Sequence, residues 1–143
     1  MSETCIFCRI IRGEIPSYKV YEDERTLSFL DINPSAPGHT LIIPKVHVGQ
    51  VEGLSREYSS ALFDTMQKLV GRIQSAVGAP SSTIGVNNGP ESGQEVPHVH
   101  IHVIPRSKGD RGGIIQGIAS SGGRPDGDEL SRIVEKIRGD SGG

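Results

Sequence analysis

The sequence predicts an α+β fold: a five-stranded antiparallel sheet with one long helix and short N- and C-terminal helices. Two observations carry this. The strand-like runs mostly follow one another, without the regular strand–helix alternation that builds a parallel sheet. One long stretch, residues 55–77, carries Tyr58, Leu62, Met66, Leu69, Ile73 and Val77 at steps of three or four, the period of a helix with one buried face. The 143 residues suit a single domain with a real core, and no shift in composition marks a boundary before residue 106.

The elements follow in order. Residues 5–12 place Ile6, Phe7 and Ile10 on one helical face, and Gly13 closes that short helix. Lys19–Glu22 and Thr26–Asp31 form two strands around a turn at Asp23 and Glu24. The run Asn33-Pro34-Ser35-Ala36-Pro37-Gly38 is a loop, and His39–Ile43 is a strand stopped by Pro44. The long helix is capped by Ser55 and ends at Gly78. Thr83–Asn87 is the next strand, and the last strand contains the histidines described below. Residues 107–127 form a Gly-rich loop, mobile or ordered around a ligand, and 128–143 a helix and tail, with Gly139–Gly143 a frayed end.

Composition narrows the function classes. The net charge of −2 and the scattered basic residues argue against nucleic-acid binding by bulk charge, and the lack of Trp weakens a base-stacking platform. No apolar run approaches the ~20 residues that cross a bilayer, so no membrane partner is expected. The N-terminus shows no secretory pattern, which points to a cytoplasmic protein. The two cysteines form Cys5-x-x-Cys8. No strand precedes them as in a thioredoxin-like unit, so a metal is the better reading, and it needs two further ligands.

Three of the five histidines stand at alternate positions in His98-Val99-His100-Ile101-His102-Val103-Ile104. In a strand all three imidazoles leave one face, toward solvent or substrate, and Val99, Ile101 and Val103 leave the other. Imidazole is a nucleophile, a proton carrier and a metal ligand near neutral pH. Catalysis by His100, flanked by the other two, and chelation of a metal by histidines two apart both remain open here. Upstream, Gly89 and Gly93 let the backbone approach a ligand, and the amides of Asn87 and Gln94 offer uncharged donors that suit a phosphoryl or acyl centre.

Gly-Pro-Glu-Ser-Gly-Gln-Glu-Val-Pro-His98-Val-His100-Ile-His102-Val-Ile-Pro resembles the signature of the histidine triad family of nucleotide hydrolases and transferases. Cys5-Ile-Phe-Cys-Arg-Ile-Ile-Arg-Gly-Glu-Ile-Pro and Phe29-Leu-Asp31-Ile-Asn-Pro-Ser-Ala-Pro-Gly-His39-Thr-Leu-Ile-Ile-Pro-Lys-Val-His47 resemble the same family's adenosine-binding half. The resemblance implies that His100 attacks the α-phosphorus of a nucleoside phosphoramidate or dinucleotide polyphosphate, giving a covalent nucleotidyl-histidine that water hydrolyses. It places His102 on the phosphate or leaving group and His39 behind the other two. It gives Asp31 to the ribose, Ile6, Phe7, Ile10, Phe29 and Ile32 to an adenine pocket, and Asn87, Gly93 and Gln94 to the phosphate side. Many members carry Ser or Thr where this chain has Glu95. That carboxylate is then a proton donor, a reader of a cationic leaving group such as a lysyl amine, or a solvent-facing side chain. Relatives with a structural zinc imply Cys5, Cys8, His47 and His98 as its ligands, and no organic cofactor. The resemblance also implies a homodimer formed through the long helix and an edge strand. Rival readings are a zinc-dependent hydrolase with metal on the triad itself, and a nucleotide-binding protein with vestigial catalysis.

Overall fold

The computed structural model describes residues 2–120 and 123–139. Two compact units are present, Met1–Gly112 and Gly113–Gly143. In the first, five strands, β1 (Lys19–Glu22), β2 (Thr26–Leu30), β3 (Thr40–Pro44), β4 (Ser81–Gly85) and β5 (Ile101–Arg106), form one sheet in the order β1-β2-β3-β5-β4. Every neighbouring pair is antiparallel, as the sequence predicts. A six-residue helix α1 (Ile6–Ile11) and a 22-residue helix α2 (Arg56–Val77) complete the unit. Ser55 caps α2 by accepting from the Tyr58 backbone N–H, and Gly78 ends it in the left-handed region at φ 69°.

Period-2 alternation assigns the two faces of the sheet. Leu27, Phe29, Leu41 and Ile43 pack with Cys5, Phe7, Cys8 and Ile10 of the α1 segment. Ile42, Val99 and Val103 pack with Leu62, Leu69 and Ile73 of α2. Thr26 lies on the α2 side, where its hydroxyl meets that of Thr65 at 2.8 Å, satisfying two buried polar groups together. All five residues of β3 are buried because it lies between both layers. Asp31 follows Phe29 by two residues, and His39 precedes Leu41 by two. The Leu41–His102 pairing puts His102 on the same face. The face covered by α1 therefore collects the chemistry, and the α2 face is the purely structural one.

The histidine strand is shorter than the sequence predicts. β5 begins at Ile101, not His98, because Pro97 has no N–H and the next two amides turn elsewhere. The His98 N–H reaches the Val96 carbonyl and the Val99 N–H reaches that of Val48, both at 2.8 Å. The apolar alternation survives, with Val99 and Val103 buried, but the imidazole side is not an open row, since His98 and His100 are buried too. β4 starts directly after Pro80, two residues ahead of the expected Thr83, and Pro44 is the last residue of β3 rather than its stop.

In the second unit, α3 (Gly127–Arg138) is capped by the Asp126 side chain, which accepts from the Glu129 N–H at 2.8 Å. Acidic Asp128 and Glu129 open it and basic Lys136 and Arg138 close it, each end complementing the helix dipole. Among the described residues, the 107–127 segment holds one short 3₁₀ turn, Ile115–Gly117. Of the expected frayed end, Gly139 caps α3, its N–H donating to the Glu135 carbonyl, and residues 140–143 lie outside the described residues.

Candidate active site

A cavity of about 440 Å³ opens on the α1 face of the sheet. Its walls contain most of the residues singled out in the sequence. Ile6, Phe7 and Ile10 come from α1, Phe29, Asp31 and Ile32 from β2 and its exit, and His39 from the entry to β3. Asn87, Gly93 and Glu95 come from the loop before β5, with His100 and His102 beyond. Phe7 meets Phe29 and His100 edge-on, with ring centroids 5.6 and 5.1 Å away, so the apolar end of the cavity runs up to the imidazoles.

Hydrogen bonds fix the proton on each ring. The carbonyl of His98 can only accept, so His100 donates its Nδ1–H to it, at 2.7 Å. A neutral imidazole carries one proton, which leaves His100 Nε2 with a bare lone pair. His39 Nδ1 accepts the Ser35 backbone N–H at 3.0 Å, so the His39 proton sits on Nε2. That Nε2–H donates to His102 Nδ1 at 2.9 Å, and the His102 proton is therefore on Nε2. His102 Nε2 is buried and has no partner, so its N–H is a donor held ready for a ligand. The site thus presents one nucleophilic nitrogen and one donor N–H on neighbouring rings, whose centroids are 4.9 Å apart.

Burial keeps the His102 and His39 rings neutral. Desolvation, reinforced by His100 and His39, pushes the His102 pKa down to about 4. His39 is also lowered by desolvation, against the pull of Asp31. Asp31 accepts from the Asn33 N–H at 2.8 Å through Oδ1, and its Oδ2 lies 3.7 Å from His39 Nε2.

Gln94, expected on the phosphate side, is committed to the loop instead. Its Oε1 accepts from Gly89 N–H at 2.8 Å, and its Nε2 donates to the Gly49 and Val96 carbonyls at 2.7 and 3.0 Å. No amide hydrogen is left over, and Gln94 is not among the described wall residues. Two contributors escaped the sequence reading. Ser35 acts through a backbone N–H, which residue identity does not reveal. Ser17 lines the cavity with a buried hydroxyl that has no partner.

His98 is absent from the cavity and faces the other way. Its Nε2–H donates to the Pro44 carbonyl at 2.9 Å, turning Nδ1 toward Cys5 Sγ at 3.4 Å and Cys8 Sγ at 3.6 Å. His47 Nδ1 lies 3.3 Å from Cys8 Sγ. The four candidate donors lie within 4.8 Å of one another. A tetrahedral zinc with ordinary Zn–S and Zn–N bonds requires S···N edges of about 3.5 Å, so the two thiols and two imidazoles fit that ion as they stand. Desolvation pushes the Cys8 thiol pKa up and that of His98 down to about 4, so His98 is neutral and in the tautomer that a metal would need.

A second cluster, Asp31, His39 and His102, also brings three donor atoms within 4.8 Å. Here the tautomers oppose a metal. Binding through His39 Nε2 would move its proton to Nδ1, against the Ser35 N–H that points at it. With His98 also turned away to the cysteines, the triad is not arranged as a chelate.

Residues 12–109, more than half of the chain, match the family model described as the HIT domain. The chain belongs to the histidine triad (HIT) family. "Protein hit" of Bacillus subtilis is 44% identical over 115 residues, covering 80% of this chain and 79% of that protein. Adenosine 5'-monophosphoramidase HNT1 of Saccharomyces cerevisiae is 36% identical over 137 residues, covering 96% and 82%. Among solved structures, a Zn-bound histidine triad family protein from Mycobacterium smegmatis superposes with a TM-score of 0.72 at 33% identity, covering 92% of this chain and 90% of that one. The HIT fold of these relatives is the five-stranded antiparallel sheet with one long helix seen here.

Proposed function

We propose that this protein hydrolyses adenosine 5′-phosphoramidates in two steps through a covalent adenylyl-histidine at His100. The observation that carries the reading is the pair of opposite tautomers on adjacent rings, a bare His100 Nε2 beside a waiting His102 Nε2–H. Binding alone needs no bare nucleophile. The adenosine 5′-monophosphoramidase activity in the name of the yeast relative supports the same class.

In the first step His100 Nε2 forms a bond to the α-phosphorus, and the bond from phosphorus to the amine nitrogen breaks. The electron pair stays on that nitrogen, which takes a proton from solvent and leaves as the amine. In the second step water attacks phosphorus, gives its proton back to solvent and releases AMP and neutral His100. One water is consumed overall. His102 holds a non-bridging phosphate oxygen throughout, and its charge-assisted bond strengthens as negative charge builds on that oxygen. His39 sets the His102 tautomer. Asp31 takes the ribose hydroxyls, while Phe7, Ile10, Phe29 and Ile32 hold the base and Asn87 and Gly93 the phosphate side.

We further propose that Cys5, Cys8, His47 and His98 hold a structural zinc. When bound, the ion ties α1 to the start of the histidine segment and supplies no step of the reaction. A cytoplasmic location and a twofold dimer belong to the same reading. The dimer is supported by the unpaired outer edge of β4 and by Phe63, 60% exposed on the outer side of α2.

Intact-mass measurement after brief exposure to an adenosine phosphoramidate tests the chemistry. A gain of one adenylyl group is expected, absent in His100→Ala. No adduct in a turning-over wild type, or an adduct that survives in the variant, would overturn the assignment.

A further inference from the structure

We infer that Glu95 selects leaving groups that carry positive charge, so that the favoured substrates are adenosine phosphoramidates of amines bearing a second, cationic group. The inference rests on the phosphoramidate reading above and names its substrate class more narrowly.

The cavity is built for an anion yet offers it no full positive charge. No lysine or arginine is among the described residues that line it, while two carboxylates, Asp31 and Glu95, are. One phosphate charge can be met by neutral donors such as His102 Nε2–H. Each further negative charge on a substrate would find carboxylates and no counter-ion.

The two carboxylates are not equivalent. Asp31 is half-buried and already accepts from Asn33, beside His39. Glu95 is exposed and makes no hydrogen bond or ion pair with any described residue. Its charge is free to act on whatever reaches the rim.

The reaction geometry says what reaches it. His100 is only 7% exposed, so its Nε2 approaches phosphorus from the cavity floor. Displacement at phosphorus runs in line, with the departing group opposite the nucleophile. The amine therefore projects toward the mouth, where the exposed lining residues stand. Glu95 is the charged one among them. A cationic tail on the amine is drawn to it, a neutral tail is indifferent, and an anionic tail is repelled.

The experiment uses three adenosine phosphoramidates whose amines are alike in length and end in an ammonium, an amide or a carboxylate. In the wild type kcat/KM is expected to rank ammonium over amide over carboxylate, with steps of about three- to tenfold each at low salt. High salt should compress the ranking. In Glu95→Gln and Glu95→Ser the three substrates should converge, and in Glu95→Lys the order should reverse. A flat ranking in the wild type, or one that persists in the variants, overturns the inference. The phosphoramidate reading fails separately, if none of the three substrates turns over or adenylylates His100.

Discussion

Replacing His39 by alanine tests the proton arrangement most directly. The imidazole of His39 reaches no phosphorus in the proposed scheme. It receives the Ser35 N–H at 3.0 Å and gives its own Nε2–H to His102 Nδ1 at 2.9 Å. Ser35 is exposed, so water replaces the first bond at little cost. The second is the one that matters. A neutral hydrogen bond contributes about 0.5–1.5 kcal/mol net. Its loss also lets His102 take the other tautomer, which turns a lone pair instead of an N–H toward the phosphate. Together these predict a kcat lower by about three- to tenfold, with KM changed by less than about twofold. Glutamine can donate from an amide nitrogen near the position of the lost Nε2, so His39→Gln should recover most of the rate. Steady-state kinetics on all three proteins, with ¹⁵N NMR of the His102 ring to read its tautomer, decides the matter. An unchanged kcat in His39→Ala, or a glutamine variant no better than alanine, would refute the reasoning.

Other consequences can be measured as readily. Protein purified without chelator should carry about one zinc per chain by elemental analysis, and its removal should lower the Tm; a zinc-free preparation of full stability would reject the site. His98, His102 and His39 all have pKa values held below the usual 6.5 by burial. The unfolded chain therefore takes up their protons first as the medium is acidified. Stability is complete above about pH 6.5 and falls toward pH 4, with His102 alone contributing about 1–2 kcal/mol after allowance for its partial solvent contact. Melting curves across that range should show the slope, and His102→Gln should flatten it. Gly38 has φ 88°, and a Cβ there would lie 2.9 Å from Val77 Cγ1. Gly38→Ala should cost about 1–3 kcal/mol in denaturant unfolding, because neither the backbone nor the packed neighbour can yield freely.

Much of this was legible because short-range pattern and long-range structure agree. The three-to-four spacing from Tyr58 to Val77 needs only one buried face to become α2, and Ser55 and Gly78 mark its ends by their own chemistry. The alternation of Val99, Ile101 and Val103 marks one apolar face in the same way. The fate of the imidazoles was not legible locally. Period 2 gives the side each histidine leaves from but not what stands there. His98 meets two thiols from a distant segment, and His100 and His102 meet the cavity. Gln94 differs for a related reason, since an amide in a glycine-rich loop beside the cavity looks like a ligand until the Gly49 and Val96 carbonyls claim it. Backbone groups such as the Ser35 N–H and the His98 carbonyl set the tautomers of the site, and they are common to every sequence.

Helix α1 is six residues long, too short to persist alone in water. It nonetheless carries one proposed metal ligand, Cys8, is capped by another, Cys5, and supplies one wall of the cleft. With the proposed zinc bound, the wall of the cleft would be stapled to the start of the histidine segment through Cys5, Cys8, His47 and His98. Scarcity of zinc would then loosen the wall of the nucleotide cleft as well as lower the melting temperature, so that nucleotide capture registers the supply of metal together with the fold.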